Sequence, residues 1–478
     1  MPKQSEPENF FQTFAELEDY LNRRGMFHMD LGLTRLQAVL KALFAKKQMP
    51  FATAQVVGTN GKGSTSTFLA SLCTAHGLKN GLYTSPHFVS MRERVLINGR
   101  PLPEAEWLAC ANLVLKAQNQ AQSQVNTPNQ NQALTYFEFI TVLAILAFTR
   151  AEVKVAVLEA GLGGEFDATS AVWADLLLFT PIGLDHQNTL GPTLADIAQT
   201  KARAMQTGQM VLTAPQEPEV ISVLKSVATA KNLKIFKAAS SPPNADAPFY
   251  PLGLSGEHQI DNARLALAGF ARLAEAQNWP LRQPAVRRGL KHAFIPGRLQ
   301  LIDGHLGQPP LLLDGAHNAP AFATLDRYLS KTNVKPRCII FSCLSDKDLS
   351  ACLPMLNRWT QGPIIIPPIA HNPRAANPAE LAAAIGPQAI VAPDLKQALQ
   401  MAATVPAVPP VAAIIPATPV APVFPGPPSV SSNPNSLAAP QISPDLSPDL
   451  APVLICGSLF LLGEFFELHP ACLGPLRG

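Results

Sequence analysis

The sequence lacks the features that mark a membrane protein, a zinc protein or a disulfide-stabilised protein. No run of about 18 consecutive apolar residues, the length that a helix needs to cross a bilayer, occurs in the chain. The seven cysteines are scattered and include no C-x-x-C pair, which argues against a zinc site and a disulfide framework. Residues 1–19 are polar and acidic, without the apolar centre of a signal sequence, so we expect a cytoplasmic protein.

Charge is also sparse. Charged residues make up 15% of the chain and the formal net charge is +3, so we expect neither nucleic acid nor a membrane surface as a partner. Hydrophobic residues, by contrast, make up 47% of the chain, which is typical of a globular protein. At 478 residues, the chain is longer than a single hydrophobic core usually accommodates. We therefore expect a globular protein of two or three domains. We also expect it to work as a monomer on small-molecule substrates.

Apolar runs alternate with helix-like patterns through most of the chain. In the first part, strand-like runs cover residues 52–57, 153–159 and 176–180, and helix-like runs cover residues 64–75, 138–149 and 194–207. In the second part, strand-like runs cover residues 311–313, 337–342, 363–367, 389–392 and 453–456, and a helix-like run covers residues 319–329. This alternation predicts an α/β fold of two domains, residues 1–297 with a mostly parallel sheet and residues 298–478 as a smaller, Rossmann-like domain.

Two segments interrupt the alternation. Residues 117–133 are rich in Gln and Asn and predict a solvated loop. Residues 406–452 are dense in Pro, Ala and Val and have no usable period, so we interpret them as an insertion in the second domain. A linker is the favoured reading of this Pro-rich insertion, and a partner-docking arm with PxxP spacings is the alternative.

A glycine-rich loop lies between the first predicted strand and the helix that follows it. The loop reads Gly58-Thr59-Asn60-Gly61-Lys62-Gly63-Ser64. Glycines let backbone N–H groups turn toward an anion, and the start of a helix adds its positive dipole end. The lysine can reach the outer phosphates of ATP, and the serine hydroxyl can bind Mg²⁺. The loop departs from the common phosphate-loop pattern at Val56 and Gly63, so a plain glycine-rich turn is the alternative.

Polar side chains follow the predicted strands at the edge where parallel sheets bind ligands. Glu159 ends one strand, and its carboxylate can hold Mg²⁺ beside a triphosphate or can cap the next loop. His186 follows the next strand and is a ligand or acid–base candidate. Ser85-Pro86-His87 and Arg92-Glu93-Arg94 come after a short strand, where the hydroxyl can complete a metal shell and the arginines can meet an anionic substrate.

The second part of the chain has a comparable loop. Asp314-Gly315-Ala316-His317-Asn318 follows the strand-like run 311–313, and an acidic residue and a histidine at such a position indicate the lip of a site. Arg298 lies on the inferred linker and can reach phosphates. These residues alone leave the reaction open.

Together the motifs resemble the folylpolyglutamate synthase/dihydrofolate synthase family of the Mur ligase superfamily. The resemblance covers nearly the whole chain outside the two interrupting segments. It is carried by residues 58–64, 83–87, 135–139, 159–164, 184–186, 256–259 and 262–263 in the first part and by residues 296–298, 313–318, 345–348 and 456–459 in the second. It implies an amide ligase in which ATP phosphorylates the carboxylate of dihydropteroate or a folate, and L-glutamate displaces the phosphate. Residues 1–297 would then bind ATP and residues 298–478 would be the glutamate-ligase domain.

The resemblance also implies a role for each site residue. The implied ATP-binding residues are Gly58, Thr59, Asn60, Gly61, Lys62, Gly63, Ser64, Asn262, Arg298 and Asp314. The implied Mg²⁺ ligands are Ser64, Ser85, Glu159 and His186, and the implied catalytic residues are Lys62, His186, Lys201 and His317. Lys201 lies where the family has a lysine that can be carbamylated, and His317 is expected near glutamate or phosphate.

The chain departs from the family pattern at a few positions. The family commonly has Arg and Asn where this chain has Glu165 and Ser170, and Gly where it has Arg203. A peptidoglycan Mur ligase is one alternative, although Gly63 and the short segment before Gly58 favour the folate branch. A non-catalytic nucleotide-binding protein, with the Pro-rich insertion as its interaction arm, is the other.

Overall fold

The structure, a computed structural model, divides the chain into two compact units. It describes residues 10–25, 32–44, 49–123, 133–238, 250–304, 308–347, 350, 352–370, 372–406 and 451–474. The first unit comprises Met1–Gln300, Gly315–Thr324 and Leu459–Gly478, and the second comprises Leu301–Asp314 and Leu325–Ser458. The first unit therefore combines residues 1–300 with two segments of the predicted second domain.

Helices and strands alternate along the chain. The helices are α1 (Phe14–Asn22), α2 (Thr34–Leu43), α3 (Lys62–Ala75), α4 (Glu104–Ser123), α5 (Tyr136–Arg150), α6 (Gln187–Leu190), α7 (Leu194–Ala202), α8 (Pro218–Ala230), α9 (His258–Ala276), α10 (Gln283–His292), α11 (Ala319–Thr332), α12 (Leu353–Trp359), α13 (Pro378–Ile385), α14 (Leu395–Thr404) and α15 (Leu459–Leu468). The strands are β1 (Ala52–Val57), β2 (Asn80–Tyr83), β3 (Val95–Ile97), β4 (Arg100–Pro101), β5 (Val155–Glu159), β6 (Leu176–Phe179), β7 (Met210–Thr213), β8 (Ile235–Lys237), β9 (Gln300–Ile302), β10 (Leu311–Leu313), β11 (Cys338–Phe341), β12 (Ile364–Ile366), β13 (Ala389–Val391) and β14 (Val453–Cys456).

The first unit is built on a sheet of eight described strands in the order β4-β3-β2-β5-β1-β6-β7-β8. β2, β5, β1, β6, β7 and β8 run parallel, and β3 and β4 pair antiparallel at one edge. β1 lies between β5 and β6 and is buried along its whole length. The carboxyl ends of β1, β5 and β2 therefore lie side by side at one edge of the sheet, which is where α/β proteins place their ligands.

Both faces of this sheet are covered, as the continuous apolar strands predict. Val155 and Val157 of β5 pack into a core with α3, α9 and α10, whereas Ala156 and Leu158 pack into a core with α1, α2, α4 and α5. Strands that are buried on both faces lack the polar alternation of an exposed sheet. This explains why the sequence pattern of these strands is a run of apolar residues.

The second unit has a smaller sheet of six described strands, in the order β13-β12-β11-β14-β10-β9. The pairings β10–β14, β11–β14, β11–β12 and β12–β13 are parallel. All residues of β11, β12 and β14 are buried. The predicted α/β fold with two mostly parallel sheets is confirmed, and β1, β10 and β14 match their predicted runs residue for residue.

Two predictions at element ends are wrong. The predicted loop at residues 117–133 is helical as far as Ser123, because Gln118 is buried against the protein: its side chain donates to the Tyr20 hydroxyl and accepts the Leu134 N–H. The predicted helix at 194–207 ends at Ala202, after which tighter turns carry the buried Met205 into the core.

Other predictions fall outside the described residues. These include residues 124–132 of the predicted loop and residues 407–450 of the Pro-rich insertion. Among the helices of the described ranges, none is long and apolar enough to cross a membrane.

Candidate active site

The loop between β1 and α3 has the geometry of a phosphate cradle. β1 delivers the chain to Gly58, and the backbone N–H groups of Thr59 and Asn60 both donate to the Pro181 carbonyl oxygen, at 3.0 and 3.3 Å. α3 begins directly after Gly61, and no side chain caps this helix. Its first backbone N–H groups are therefore available to an anion, as a phosphate requires.

Gly61 has a structural reason to be glycine. Its φ is +84°, in the left-handed region, and a Cβ at this position would collide with the Asn262 side chain of α9. The Asn262 amide is itself held by a hydrogen bond to the Gln259 Oε1 at 3.0 Å. Lys62 lies at the first position of α3, and its Nζ donates to the Thr59 carbonyl oxygen at 3.1 Å. The loop thus brings together a left-handed glycine, an amide and an ammonium group.

Glu159 lies at the end of β5, next to this loop. Its side chain is only 5% exposed, and its Oε2 accepts the backbone N–H of Ser85 at 3.1 Å. A Cβ on Gly63 would lie 3.5 and 3.6 Å from the two carboxylate oxygens, so the helix start approaches Glu159 closely. Burial raises the pKa of Glu159, and the nearby charge of Lys62 opposes this rise.

The surroundings of Glu159 fit a magnesium ion. In the described part of the chain, no Lys, Arg or His nitrogen lies within ion-pair distance of this buried carboxylate. Nor do these residues contain a group of three or more His, Cys, Asp or Glu side chains that could hold a metal alone. Magnesium at nucleotide sites keeps several waters and takes one or two carboxylates plus phosphate oxygens. Glu159 supplies one such carboxylate, beside the backbone of Ser85 and close to the start of α3, where Ser64 is buried.

The segment that follows Ser85 is tightly hydrogen-bonded. The carboxylate of Glu93 accepts the backbone N–H groups of residues 88, 89 and 90 at 2.7–2.8 Å. The Nε of Arg94 donates to the Nδ1 of His87 at 2.9 Å, so the His87 proton is on Nε2. Burial and the charge of Arg94 lower the pKa of His87 to about 3. His87 is therefore a neutral hydrogen-bonding group in this segment.

His186 and Asp185 follow β6 on the other side of β1. His186 has a left-handed φ of 53°, and its Nε2 lies 3.9 Å from the Asp185 Oδ1. Asp185 Oδ2 accepts a hydrogen bond from Asn318 Nδ2 at 2.9 Å, and Asn318 and Asn60 exchange amide hydrogen bonds at 3.2 Å. Asn318 belongs to the segment that is grouped with the first unit. One buried asparagine therefore links the phosphate loop to the loop that carries His186.

Lys201 is a buried lysine at the end of α7. Its side chain is 3% exposed, and its Nζ donates to the Gly58 carbonyl oxygen at 2.8 Å. Burial, together with the charge of Lys62, lowers the pKa of Lys201 to about 7. Near neutral pH a large share of this side chain is thus an uncharged amine beside the phosphate loop.

The predicted residues after position 297 fall into both units. Arg298 lies against Gly315, where a Cβ would collide with its guanidinium, and His317 has its Nδ1 at 2.7 Å from the Gly315 carbonyl oxygen. Asp314 belongs to the second unit, at the end of β10, and its backbone N–H donates to Ile455 at 3.0 Å.

The departures from the family pattern have structural partners. Glu165 and Arg203 form an ion pair with each other at 2.9 Å. The Ser170 Oγ donates to the Gly164 carbonyl oxygen at 2.6 Å and accepts from the Gln55 Nε2 at 2.8 Å. These contacts stabilise the loop that follows Glu159, and none of them involves the Glu159 carboxylate.

Sequence patterns missed the connection made by Asn318. The sequence places it after His317 on a strand-exit loop, but nothing in the pattern identifies Asn60 and Asp185 as its partners. Only the fold brings together residues that are 258 and 133 positions apart along the chain.

Comparison with known proteins agrees with this geometry. Residues 297–412 match the family described as Mur ligase, glutamate ligase domain. The chain is 31% identical over 359 residues to the dihydrofolate synthase/folylpolyglutamate synthase of Bacillus subtilis, covering 70% of this chain and 81% of that protein. It is also 31% identical over 396 residues to the Escherichia coli protein of the same description, covering 78% and 87%. The chain belongs to the dihydrofolate synthase/folylpolyglutamate synthase family.

Solved structures of this family share the two-domain fold. E. coli FolC in complex with DHPP and ADP has a TM-score of 0.74 and 27% identity, covering 96% of this chain and 98% of that one. The Mycobacterium tuberculosis folylpolyglutamate synthase complexed with ADP and AMPPCP has a TM-score of 0.76 and 26% identity, covering 95% and 97%. The Yersinia pestis bifunctional synthase with Mn, AMPPNP and L-glutamate has a TM-score of 0.73 and 27% identity, covering 98% and 100%. These relatives bind adenine nucleotides, and the last binds a divalent metal.

Proposed function

We propose that this chain is an ATP-dependent ligase that joins L-glutamate to dihydropteroate, to a folate, or to both. The observation that carries the proposal is the uncapped, glycine-rich start of α3 beside the buried carboxylate of Glu159. Both features lie at the carboxyl ends of adjacent strands in a member of the synthase family. They suit a triphosphate and its magnesium ion.

The reaction explains why the site needs ATP. A carboxylate is a poor electrophile, so the acceptor carboxylate takes the terminal phosphate of ATP and becomes an acyl phosphate, with release of ADP. The amine of L-glutamate then attacks the acyl carbon and expels phosphate, which forms the amide. The protein must neutralise phosphoryl charge and exclude water from the acyl phosphate.

Each site residue has a proposed role in this reaction. The residues proposed to hold ATP are 58–64, Asn262, Arg298 and Asp314, and those proposed to hold Mg²⁺ are Ser64, Ser85, Glu159 and His186. Bound magnesium would supply positive charge against the phosphate oxygens. Lys62 would stabilise the transferred phosphoryl group, and His317 would contact glutamate or phosphate.

Lys201 is proposed to be carbamylated. Only a neutral amine attacks carbon dioxide, and the lowered pKa of this buried lysine supplies that form near neutral pH. The carbamate would add an anionic oxygen ligand close to Gly58. A carbon-13 carbonyl resonance from labelled carbon dioxide, present in the wild type and absent in Lys201→Met, would support this role; equal spectra would contradict it.

Finer features of the proposal come from the family. We propose a bifunctional enzyme that accepts both dihydropteroate and tetrahydrofolate, works as a monomer and acts in the cytoplasm. Residues 1–297 and 298–478 would serve ATP and glutamate ligation respectively.

A coupled assay of ADP release tests the function. We expect release that needs an acceptor, either dihydropteroate or tetrahydrofolate, together with L-glutamate and Mg²⁺. Separate assays with each acceptor distinguish a bifunctional from a monofunctional enzyme, and UDP-sugar peptides serve as the control for a peptidoglycan ligase. ADP release that is unaffected by acceptor or glutamate would overturn the proposal.

A further inference from the structure

Arg94 is a buried arginine that forms no ion pair with any of the described residues. It is only 3% exposed, and no carboxylate lies within 4 Å of its guanidinium among the residues that the structure describes. Within the same described residues, its side chain makes a single hydrogen bond, from Nε to His87, and stacks on the Tyr136 ring at 5.3 Å. The two terminal nitrogens of the guanidinium donate to no protein acceptor there.

Such an arrangement is costly unless a ligand completes it. Burying a charge without a partner is strongly unfavourable, so buried arginines are normally paired with carboxylates. The adjacent carboxylate, Glu93, is already occupied by three backbone N–H groups of residues 88–90. The protein therefore buries a positive charge whose two terminal guanidinium nitrogens have no acceptor among the described residues.

The fold places Arg94 on the same sheet edge as the nucleotide site but not at the phosphate loop. Tyr83 of β2 pairs with Val95 of β3, and the Thr84 N–H donates to the Arg94 carbonyl oxygen at 3.0 Å. β2 neighbours β5, which ends in Glu159, and β5 separates β2 from β1 and its loop. Along this edge the order is phosphate loop, Glu159, then Arg94.

This order matches the order of the reacting groups. The acceptor carboxylate must approach the terminal phosphate from the side opposite the leaving ADP. With ADP held at the phosphate loop as proposed above, Arg94 lies beyond Glu159 along the sheet edge, on the side that we assign to the acceptor. The planar fork of a guanidinium also matches a carboxylate, whose two oxygens can accept parallel hydrogen bonds.

We propose that Arg94, oriented by its hydrogen bond to His87, binds the acceptor carboxylate that is to be phosphorylated. Arg94 is then a substrate-binding residue, and His87 a positioning residue that orients the guanidinium through its Nδ1. The inference rests on the proposed function, because it names the group that recognises the acid in that reaction.

The test compares an acid with its neutral amide. The ligands are whichever acceptor the wild type uses, dihydropteroate or tetrahydrofolate, and the same molecule with the reacting carboxylate converted to a carboxamide. Binding is measured by calorimetry in the presence of AMPPNP and Mg²⁺, and ADP release supplies the KM values. Arg94→Gln removes the charge, Arg94→Lys keeps the charge but removes the fork, and Arg92→Gln is the matched control. Arg92 lies on the same turn but is partly exposed and paired with Glu104.

We expect the wild type and Arg92→Gln to bind the acid at least about tenfold more tightly than the amide. Arg94→Gln should lose this preference and raise the acceptor KM by a similar factor, with the KM for ATP unchanged. The preference of Arg94→Lys for the acid, and its acceptor KM, should lie between the values for the wild type and for Arg94→Gln. Because the buried charge is unpaired without ligand, ligand-free Arg94→Gln should melt no lower than the wild type.

Two results would overturn the inference alone while the wild type remains an active ligase. One is an Arg94→Gln protein that keeps the full preference for the acid. The other is a variant, Gln or Lys, that melts lower and loses affinity for acid and amide equally, which would make Arg94 purely structural. A wild type that releases no ADP with either acceptor would instead overturn the proposed function, and this inference with it.

Discussion

Glu159 and Lys201 show how single buried ionisable residues adapt this fold to nucleotide chemistry. Neither side chain is more than 5% exposed, and burial shifts each pKa toward the neutral form. Each would be a poor choice for stability alone, since a buried charge is costly. Their position beside the phosphate loop supplies the reason for keeping them.

Glu159→Gln should abolish most of the activity while the fold persists. The amide keeps the size of the side chain but removes the charge that we assign to the metal, so kcat should fall by about a hundredfold or more. The ligand-free variant should melt no lower than the wild type, because burial already disfavours the carboxylate. Steady-state ADP release and thermal melting measure both effects.

The control for this variant is Glu106→Gln, at an exposed position on α4. It should retain the wild-type kcat. A Glu159→Gln protein with near-normal turnover would remove Glu159 from the site.

Lys201 should make stability depend on pH. The folded pKa is lowered from 10.5 to about 7, so between these values the unfolded chain binds more protons and stability rises with pH. The destabilisation is complete at pH values below the folded pKa and disappears as the pH approaches 10.5. Lys201→Met should therefore be more stable than the wild type near pH 7, by a margin that shrinks toward pH 10.

Urea unfolding in buffers free of carbon dioxide measures this margin. Lys225→Met, on the exposed face of α8, controls for the loss of a surface lysine. A stability difference between Lys201→Met and the wild type that stays constant from about pH 7 to pH 10 would show that burial does not control the titration of Lys201.

At the residue scale, the sequence could predict which types of residue lie at the ends of strands, but not which side chains they contact. Glu159 was predictable because a carboxylate directly follows an apolar run, and the end of a parallel strand is a common ligand site. The contact between Asn60 and Asn318 was not predictable, because the residues are distant in the chain and their amides give no periodic pattern. The same holds for the ion pair between Glu165 and Arg203.

At the element scale, the loops after β1 and β6 are tied together by one side chain that lies just before α11. The Asn318 amide bonds both Asn60 of the phosphate loop and Asp185 beside His186. Asn318 is 5% exposed, so water cannot readily replace these bonds. We therefore expect the position of the phosphate loop to depend on this tie.

Asn318→Asp should weaken nucleotide binding. A carboxylate there cannot donate to Asp185 and would repel it, so we expect the KM for ATP to rise about fivefold to tenfold. The affinity for AMPPNP, measured by calorimetry, should fall in parallel. Asn278→Asp, in an exposed turn, should leave both values unchanged. Unchanged ATP and AMPPNP affinities in Asn318→Asp would show that the loops hold their positions without this amide.

Element positions were predictable where local patterns agree with the packing. β1 and β14 are short apolar runs between turns and match their predicted ranges. α4 exceeds its predicted end because tertiary contacts of Gln118 override a composition that is typical of loops. Composition alone cannot reveal such a buried polar contact.

At the scale of the whole molecule, the Pro-rich insertion leaves and re-enters the second unit at one place. The Arg337 guanidinium donates to the carbonyl oxygens of both Val405 and Ala451, at 3.1 and 2.7 Å. The two ends of the insertion are therefore close enough to be bridged by a single side chain. A short linker can replace what lies between them.

Replacing residues 407–450 with a short Gly-Ser linker should preserve the enzyme. The variant keeps Ala451 and Pro452, whose carbonyl oxygens are bonded to Arg337. We expect kcat, both KM values and the melting temperature to match those of the full chain. A large loss of activity with an intact fold would instead support a functional arm.

The most direct test of the central claim is the fate of an oxygen atom in the acceptor carboxylate. Acceptor labelled with oxygen-18 in that carboxylate is incubated with ATP, Mg²⁺ and L-glutamate, and the released phosphate is analysed by mass spectrometry. An acyl phosphate pathway transfers one labelled oxygen to each phosphate. Phosphate that carries no label, although amide is formed or ATP is consumed, would contradict the account.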